Sequence, residues 1–145
     1  MTTRKYPLAL ASVFIWIGFV SAISFMEAWL KFRAPGVTIP LGLEIGRLVF
    51  SALNKVEWVL SLSVLANLIF VGKAFYSFKN ILYFVPALIL VLQTFWLLPA
   101  LDFRAELHIL GSKPASTNLH FYYVGMEITK VLGLFFFGIK LIKLG

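Results

Sequence analysis

Residues 119–141 read LHFYYVGMEITKVLGLFFFGIKL, a stretch long and apolar enough to form a helix across a lipid bilayer. Two charged residues, Glu127 and Lys130, interrupt this stretch about one helical turn apart. A charged side chain at the bilayer centre costs about 2.5–3.5 kcal/mol even on the most lenient scale. Residues at i and i+3 lie on one helix face, so the two side chains are predicted to pair. The pattern fits two interpretations equally, a structural ion pair that fixes the position of the helix and a functional site.

The rest of the chain shares this apolar character. Of its 145 residues, 61% are hydrophobic and 13% are charged, and the mean hydropathy is +0.94. A soluble domain of this size cannot bury so much apolar surface, so the sequence predicts an integral membrane protein. The absence of cysteine excludes disulfides, thiolate metal ligands and cysteine nucleophiles. The net charge of +7 is explained more simply by anionic lipid headgroups than by nucleic acid, so the lipid bilayer is the expected partner.

Four apolar stretches are predicted to cross the membrane, at residues 8–30, 49–72, 81–101 and 119–141. One span needs about 20 apolar residues, and its backbone groups must be satisfied internally. The lengths therefore predict an all-α fold, a polytopic four-transmembrane-helix bundle that forms one membrane domain over residues 1–145. The first span lacks a small-residue cleavage site and is not interpreted as a signal peptide. Residues 31–47 and 102–118 are predicted to be polar loops, although the pattern after Pro40 also permits a helix.

Four spans place both termini on one side of the membrane, side A, opposite the two polar loops on side B. Lys and Arg are divided equally between the sides, so the positive-inside rule does not orient the chain. All acidic residues lie toward side B: Glu27, Glu44, Glu57, Asp102, Glu106 and Glu127. Side A is purely basic, which suits an anionic cytoplasmic leaflet. We therefore expect a bacterial inner-membrane protein with both termini in the cytoplasm.

Each predicted helix carries one polar face, and each face is richest toward side B. In the fourth span, the polar residues fall at i, i+3, i+7 and i+10, which is the spacing of a single helix face. Such faces point at one another or at a water-filled cavity. The sequence therefore predicts a polar, aromatic-lined pocket in the B half. Its predicted ligand-binding residues are Glu27, Asn54, Glu57, Trp58, His120, Tyr123, Glu127 and Lys130.

Some of the charged residues also have simpler interpretations. Glu27 is expected to pair with Lys31 one turn further along the first helix. Glu44 and Arg47 are expected to form an exposed pair at the i,i+3 spacing. Asp102 follows a proline at a predicted helix end, where a role in a turn or a cap is expected.

The leading functional hypothesis is the binding or transport of a small ligand or ion. Acidic, histidine and lysine side chains half-way through a helix bundle are typical of proton relays and substrate sites. Four helices are few for a complete transport pathway, so a homo-oligomer is expected. Small residues that permit close helix contact lie at Gly18, Ser21, Gly125 and Gly133.

Three other classes of function remain open. A single cation would use Glu57, His120 and Glu127 as candidate ligands, but the Glu-x-x-His signature of di-metal bundles is absent. A membrane-embedded enzyme acting on a lipid or a quinone would use Glu127 or His120 as its acid or base. The sequence contains no G-x-S-x-G or H-E-x-x-H motif and identifies no cofactor. The fourth class is a non-catalytic accessory subunit of a membrane complex.

Two segments resemble a known family. GFVSAISFMEAWLKFRAPG, at residues 18–36, places a serine–phenylalanine pair and then Phe-Arg at the end of the first span. WLLPALDFRAE, at residues 96–106, places a proline and an Asp/Arg segment after the third. Together they look like the small four-span membrane proteins called transmembrane protein 205-like. The resemblance implies a four-span topology and a family with proposed links to metal or drug handling. Lys130 and the KVEW segment around Glu57 are not part of that pattern, so no site is carried over.

Overall fold

Helices are the only regular secondary structure in the described part of the chain. A computed structural model describes residues 5–71 and 81–144, and these ranges contain no strand. They form four long helices: α1 (Pro7–Arg33), α2 (Ile39–Val71), α3 (Ile81–Ile109) and α4 (Leu119–Lys143). The all-α prediction is therefore confirmed. The predicted end of the second span at residue 72 and the connection that follows it lie outside the described residues.

The helices run alternately up and down around a ring, with α1 against α2 and α4, and α3 against α2 and α4. Near the start of α1, the backbone N–H of Ala9 donates to Asn67 Oδ1 near the end of α2, 3.1 Å away. The ring of Phe14, also early in α1, packs against Gly138 near the end of α4. The start of α1 and the ends of α2 and α4 thus lie at one end of the bundle, end A. The opposite end, end B, contains the segments between α1 and α2 and between α3 and α4.

Three of the helices, α1, α2 and α3, are long and apolar enough to cross a membrane. The 33 residues of α2 span about 50 Å at 1.5 Å per residue, well beyond the roughly 30 Å of a bilayer core. The helix starts at Ile39, which confirms that the chain becomes helical around Pro40. The fourth helix, α4, has 25 residues and carries the buried charges of the opening stretch.

The predicted loop at 102–118 is too long, because α3 continues to Ile109. Leu110 caps the helix, and Gly111 follows with a φ of 81°. The N–H of Ser112 donates to Leu107 O and the N–H of Gly111 to His108 O, at 2.9 and 3.1 Å. This is a Schellman motif, in which glycine supplies the left-handed conformation that ends the helix. The turn thus occurs at Gly111, two turns later than the proline at residue 99 suggested.

Two helices contain a π-helical segment, Ser21–Glu27 in α1 and Gln93–Leu97 in α3. A π segment accommodates an extra residue within a helix and shifts the direction of the side chains that follow. Both segments lie at the middle of the bundle and each contributes a polar side chain to the site described below. The helical periodicity of the sequence does not predict either segment.

The apolar core fills the half of the bundle toward end A. Its fully buried members include Trp16, Val64, Leu90 and Leu134. Gly133 permits close packing, since a Cβ there would lie 3.3 Å from Pro86 of α3. The predicted close contacts at Gly18 and Gly125 are not made among the described residues, where no heavy atom lies within 4 Å of a Cβ built at either position.

Candidate functional site

A cluster of buried polar side chains, three of them ionisable, lies at the centre of the bundle, and its members come from three helices. We call Glu57, Gln93, Glu127 and Lys130 the ion cluster. All four side chains are buried, with exposed fractions of 2%, 1%, 0% and 0%. The ammonium of Lys130 hydrogen-bonds Glu57 Oε1 and lies 2.6 Å from Gln93 Oε1 and 2.7 Å from Glu127 Oε1. The predicted pairing of Glu127 with Lys130 is confirmed, but the pair is part of a larger group.

The remaining contacts of the ion cluster come from α1 and α3. The indole N–H of Trp16 donates to Glu57 Oε1 at 2.7 Å, and the hydroxyl of Ser24 donates to Glu127 Oε2 at 2.8 Å. The amide of Gln93 donates to Glu127 Oε1 at 2.6 Å. All four helices therefore contribute to the network. Within residues 5–71 and 81–144, no buried side-chain nitrogen or oxygen lacks a hydrogen-bond partner. Complete pairing is what makes buried charges tolerable.

A second polar contact ties α2 to α3 one turn from the ion cluster. Both Asn54 and Trp58 donate to Thr94 Oγ1 at 2.9 Å. The Thr94 hydroxyl in turn donates to the Leu90 carbonyl of its own helix at 2.7 Å. The predicted site residues Asn54 and Trp58 thus share one partner, which lies in the π segment of α3 and was not predicted.

A half-open cavity of about 580 Å³ lies between the helices on the end-B side of the ion cluster. Side chains from all four helices line it. Its polar lining includes Ser24, Asn54, Thr94 and Tyr123, and its wall also includes His120. Tyr123 is 6% exposed, and its ring meets that of Phe50 edge-on, with centroids 5.3 Å apart. A cavity therefore lies at the predicted position, but of the eight predicted ligand-binding residues only Asn54, His120 and Tyr123 line it.

Ion pairs surround the cavity near end B. Arg47 of α2 donates two hydrogen bonds to Asp102 of α3, at 2.5 and 3.0 Å. Arg47 also lies 3.9 Å from Glu106, so it bridges α2 and α3. The structure has this bridge in place of the predicted Glu44–Arg47 ion pair and of the predicted turn role of Asp102. The polar residues after the proline at 99 occupy a helix face rather than a turn, and that face meets α2.

Glu27 forms its predicted ion pair with Lys31, with 3.3 Å between Glu27 Oε2 and Lys31 Nζ. Glu27 does not itself line the cavity, so it contributes to it only through Lys31. The ammonium of Lys31 lies in the cavity wall, 5.6 Å from the ring centroid of Phe50. A Cβ at Gly46 would lie 2.9 Å from Lys31 Nζ, and one at Gly42 would overlap the ring of Phe32. The two glycines, spaced four apart on α2, therefore provide the room that both side chains occupy.

The metal hypothesis gains no support from the geometry. Among the described residues, no group of three or more His, Asp or Glu side chains is placed to hold a metal ion. Glu57 and Glu127 meet around Lys130, whereas His120 is exposed and lies against the ring of Phe121. An ammonium at the centre of the two carboxylates occupies the position that a cation would need.

Four contributors to the site were not among the predicted site residues: Trp16, Ser24, Gln93 and Thr94. Gln93 was recognisable as the one amide within the third apolar stretch, where an unpaired polar group is costly. In the sequence, nothing distinguishes Trp16 from other aromatic residues of an apolar span, or Thr94 from other small residues of such a span. Only their hydrogen bonds across the bundle distinguish them.

No protein-family model, no curated protein and no solved structure matches this chain. The similarity to the transmembrane protein 205-like proteins stays a prediction from two sequence segments. We therefore infer the function from the ion cluster and the cavity.

Proposed function

We propose that this protein is a four-span integral membrane protein that binds a small ligand in the cavity near end B. The distribution of side chains supports a membrane location. The outward faces of the helices carry large exposed apolar residues such as Phe70, Phe95, Leu48 and Phe121, each more than 70% exposed, while three charged residues are buried inside the bundle. An exposed apolar surface of this extent indicates contact with lipid or protein. The orientation with both termini in the cytoplasm of a bacterial cell remains part of this proposal.

The single observation that carries the ligand-binding proposal is the cavity itself. A volume of about 580 Å³ falls within the roughly 300–1,000 Å³ typical of small-molecule sites. Its wall combines hydrogen-bonding groups on Asn54, Thr94 and Tyr123 with apolar surface from Phe50 and Leu43. The cations in the wall are already neutralised by carboxylates of the protein. The lining therefore suits an uncharged, partly apolar organic molecule.

Native mass spectrometry of the protein released from its own membranes tests this proposal. We expect a bound small molecule on the wild-type protein and its loss in Ser51→Phe, which places a ring in the cavity. The matched control is Ala52→Phe, at the next position and exposed but outside the cavity lining, which should keep the molecule. Equal occupancy in both variants, or no bound molecule in the wild type, would count against ligand binding here.

The access of water to the cavity can be tested separately with single introduced cysteines, because the chain contains no cysteine of its own. A single cysteine at Ser51 should react with a membrane-impermeant maleimide added on side B. A cysteine at Ala52, at the same depth but facing outward, should react much more slowly, since a thiol in lipid is rarely ionised. Equal reactivity at the two positions would show that the cavity has no special access to water.

A second candidate function is a structural subunit of a membrane complex. The observation in its favour is the complete internal pairing of the ion cluster, which leaves none of its described buried polar atoms unpartnered. Purification of a stoichiometric partner protein that also binds the Ser51→Phe variant would favour this candidate over ligand binding.

A further inference from the structure

The ion cluster contains two carboxylates and one ammonium. If all three groups were ionised, the cluster would carry a net charge of −1 with almost no contact with solvent. An uncompensated charge in such an environment costs several kcal/mol, and one bound proton removes it. The Lys130 ammonium hydrogen-bonds Glu57 and Gln93 and lies 2.7 Å from Glu127 Oε1. With this cation among acceptors, the additional proton belongs on a carboxylate.

Three carboxylate oxygens have described contacts within the ion cluster, and one of them has a partner that could accept a hydrogen bond from a bound proton. On Glu127, Oε1 faces the ammonium of Lys130 and the amide N–H of Gln93, which are both donors. Oε1 of Glu57 likewise faces two donors, Lys130 and Trp16. Glu127 Oε2 differs, because its partner is the hydroxyl of Ser24 at 2.8 Å. A hydroxyl both donates and accepts, so it can accept a hydrogen bond from a protonated Oε2.

Ser24 also connects the ion cluster to the cavity. It lines the cavity together with Tyr123. A continuous line of exchangeable hydrogens therefore runs from Glu127 Oε2 through Ser24 Oγ to the cavity. The titratable groups that face Glu127 are Glu57 from α2, Lys130 and Tyr123 from α4; α1 and α3 contribute the neutral Ser24 and Gln93.

We propose that the ion cluster is a proton-binding site, in which Glu127 Oε2 holds one proton and exchanges it with water in the cavity through the hydroxyl of Ser24. On release, Oε2 passes its proton to Ser24 Oγ while Ser24 passes its own proton to the cavity. Release leaves the ion cluster with a net charge of −1, which favours the return of a proton from the cavity. This inference rests on the proposed function only in requiring that water enter the cavity, which the Ser51 cysteine tests independently.

Infrared spectroscopy of the protein in lipid vesicles tests this directly, because a protonated carboxyl has a C=O band separate from that of a carboxylate. We expect such a band in the wild type at neutral pH, a shift of the band on transfer to D₂O, and its loss in Glu127→Gln. In Ser24→Ala the band should remain but exchange with D₂O roughly tenfold more slowly, a barrier change of about 1.4 kcal/mol. Ser21→Ala, in the same π segment of α1, is the matched control and should exchange like the wild type.

Three results would overturn the proposal. The first is the absence of a protonated carboxyl band from the wild type at neutral pH, and the second is a band that persists in Glu127→Gln. The third is exchange at the same rate in Ser24→Ala and Ser21→Ala, which would exclude the serine route. If the Ser51 cysteine reacts but the band is absent, the cavity stands and the proton site fails. If the band and its exchange are present without a bound molecule in mass spectrometry, the proton site stands and ligand binding fails.

Discussion

The two halves of the bundle differ in what fills the space between the same four helices. Toward end A, apolar side chains such as Val13, Val64 and Leu134 are fully buried and pack against one another. Toward end B, the helices enclose a cavity with ion pairs at its edge. The ion cluster lies at the boundary, where a packed core gives way to a space open on one side. The comparison suggests that the A half supplies stability and that the B half is available for binding.

The largest effect is expected from removal of the charge at this boundary. Lys130→Ala leaves two carboxylates facing each other without a cation, and loss of one member of a buried ionic group typically costs about 3–5 kcal/mol. We expect that loss in the free energy of unfolding, measured by SDS titration in mixed micelles. The control, Lys143→Ala at the exposed end of α4, should change it by less than about 0.5 kcal/mol. A small change in the free energy of unfolding of Lys130→Ala would mean that water reaches the ion cluster.

The second prediction distinguishes an isolated ion pair within α4 from a cluster of three coupled ionisable groups. If Glu127 and Lys130 formed an isolated pair, replacing both with leucine would restore stability. The structure predicts that this double variant stays unstable, because Glu57 loses its cation. Adding Glu57→Gln, which can still accept from Trp16, should recover roughly 3 kcal/mol in the same unfolding assay. If the double variant were as stable as the triple variant, Glu57 would not depend on Lys130 as its cation, and the coupling of the three groups would be contradicted.

The third prediction compares the two halves directly. Leu134→Ala removes a fully buried side chain from the A half and should lower the free energy of unfolding by about 2 kcal/mol or more. Leu43→Ala removes the same atoms from the cavity wall, where the space is already open, so the loss should stay below about 1 kcal/mol. Equal losses would mean that the B half is packed as tightly as the A half.

The smallest effect is expected at the edge of the cavity. Arg47→Lys replaces the two-hydrogen-bond contact with Asp102 by a single point contact. Because the pair is partly exposed, the free energy of unfolding should change by less than about 1 kcal/mol. A loss comparable to that of Lys130→Ala would show that end B is as dry as the centre.

The sequence allowed the helices, the polar faces and the pairing within α4 to be predicted, because each of these depends on spacing along one helix. Glu57 and Lys130 are far apart in the chain, and their contact depends on how α2 and α4 pack, which spacing does not encode. The π segments shift Ser24 and Gln93 relative to a regular helix, so a strict 3.6-residue period cannot place them. The end of α3 was predictable in principle, since Gly111 is a strong helix-ending signal that the proline at residue 99 obscured.

The most direct test of the account is a high-resolution density map of the purified protein in a lipid nanodisc, viewed around Lys130. We expect Lys130 Nζ in direct contact with Glu57, Gln93 and Glu127, lipid around all four helices, and ordered non-protein density confined to the cavity. Water-filled space between Lys130 and the two carboxylates, or α4 lying outside the lipid, would contradict a dry ion cluster at the boundary of a membrane-embedded bundle.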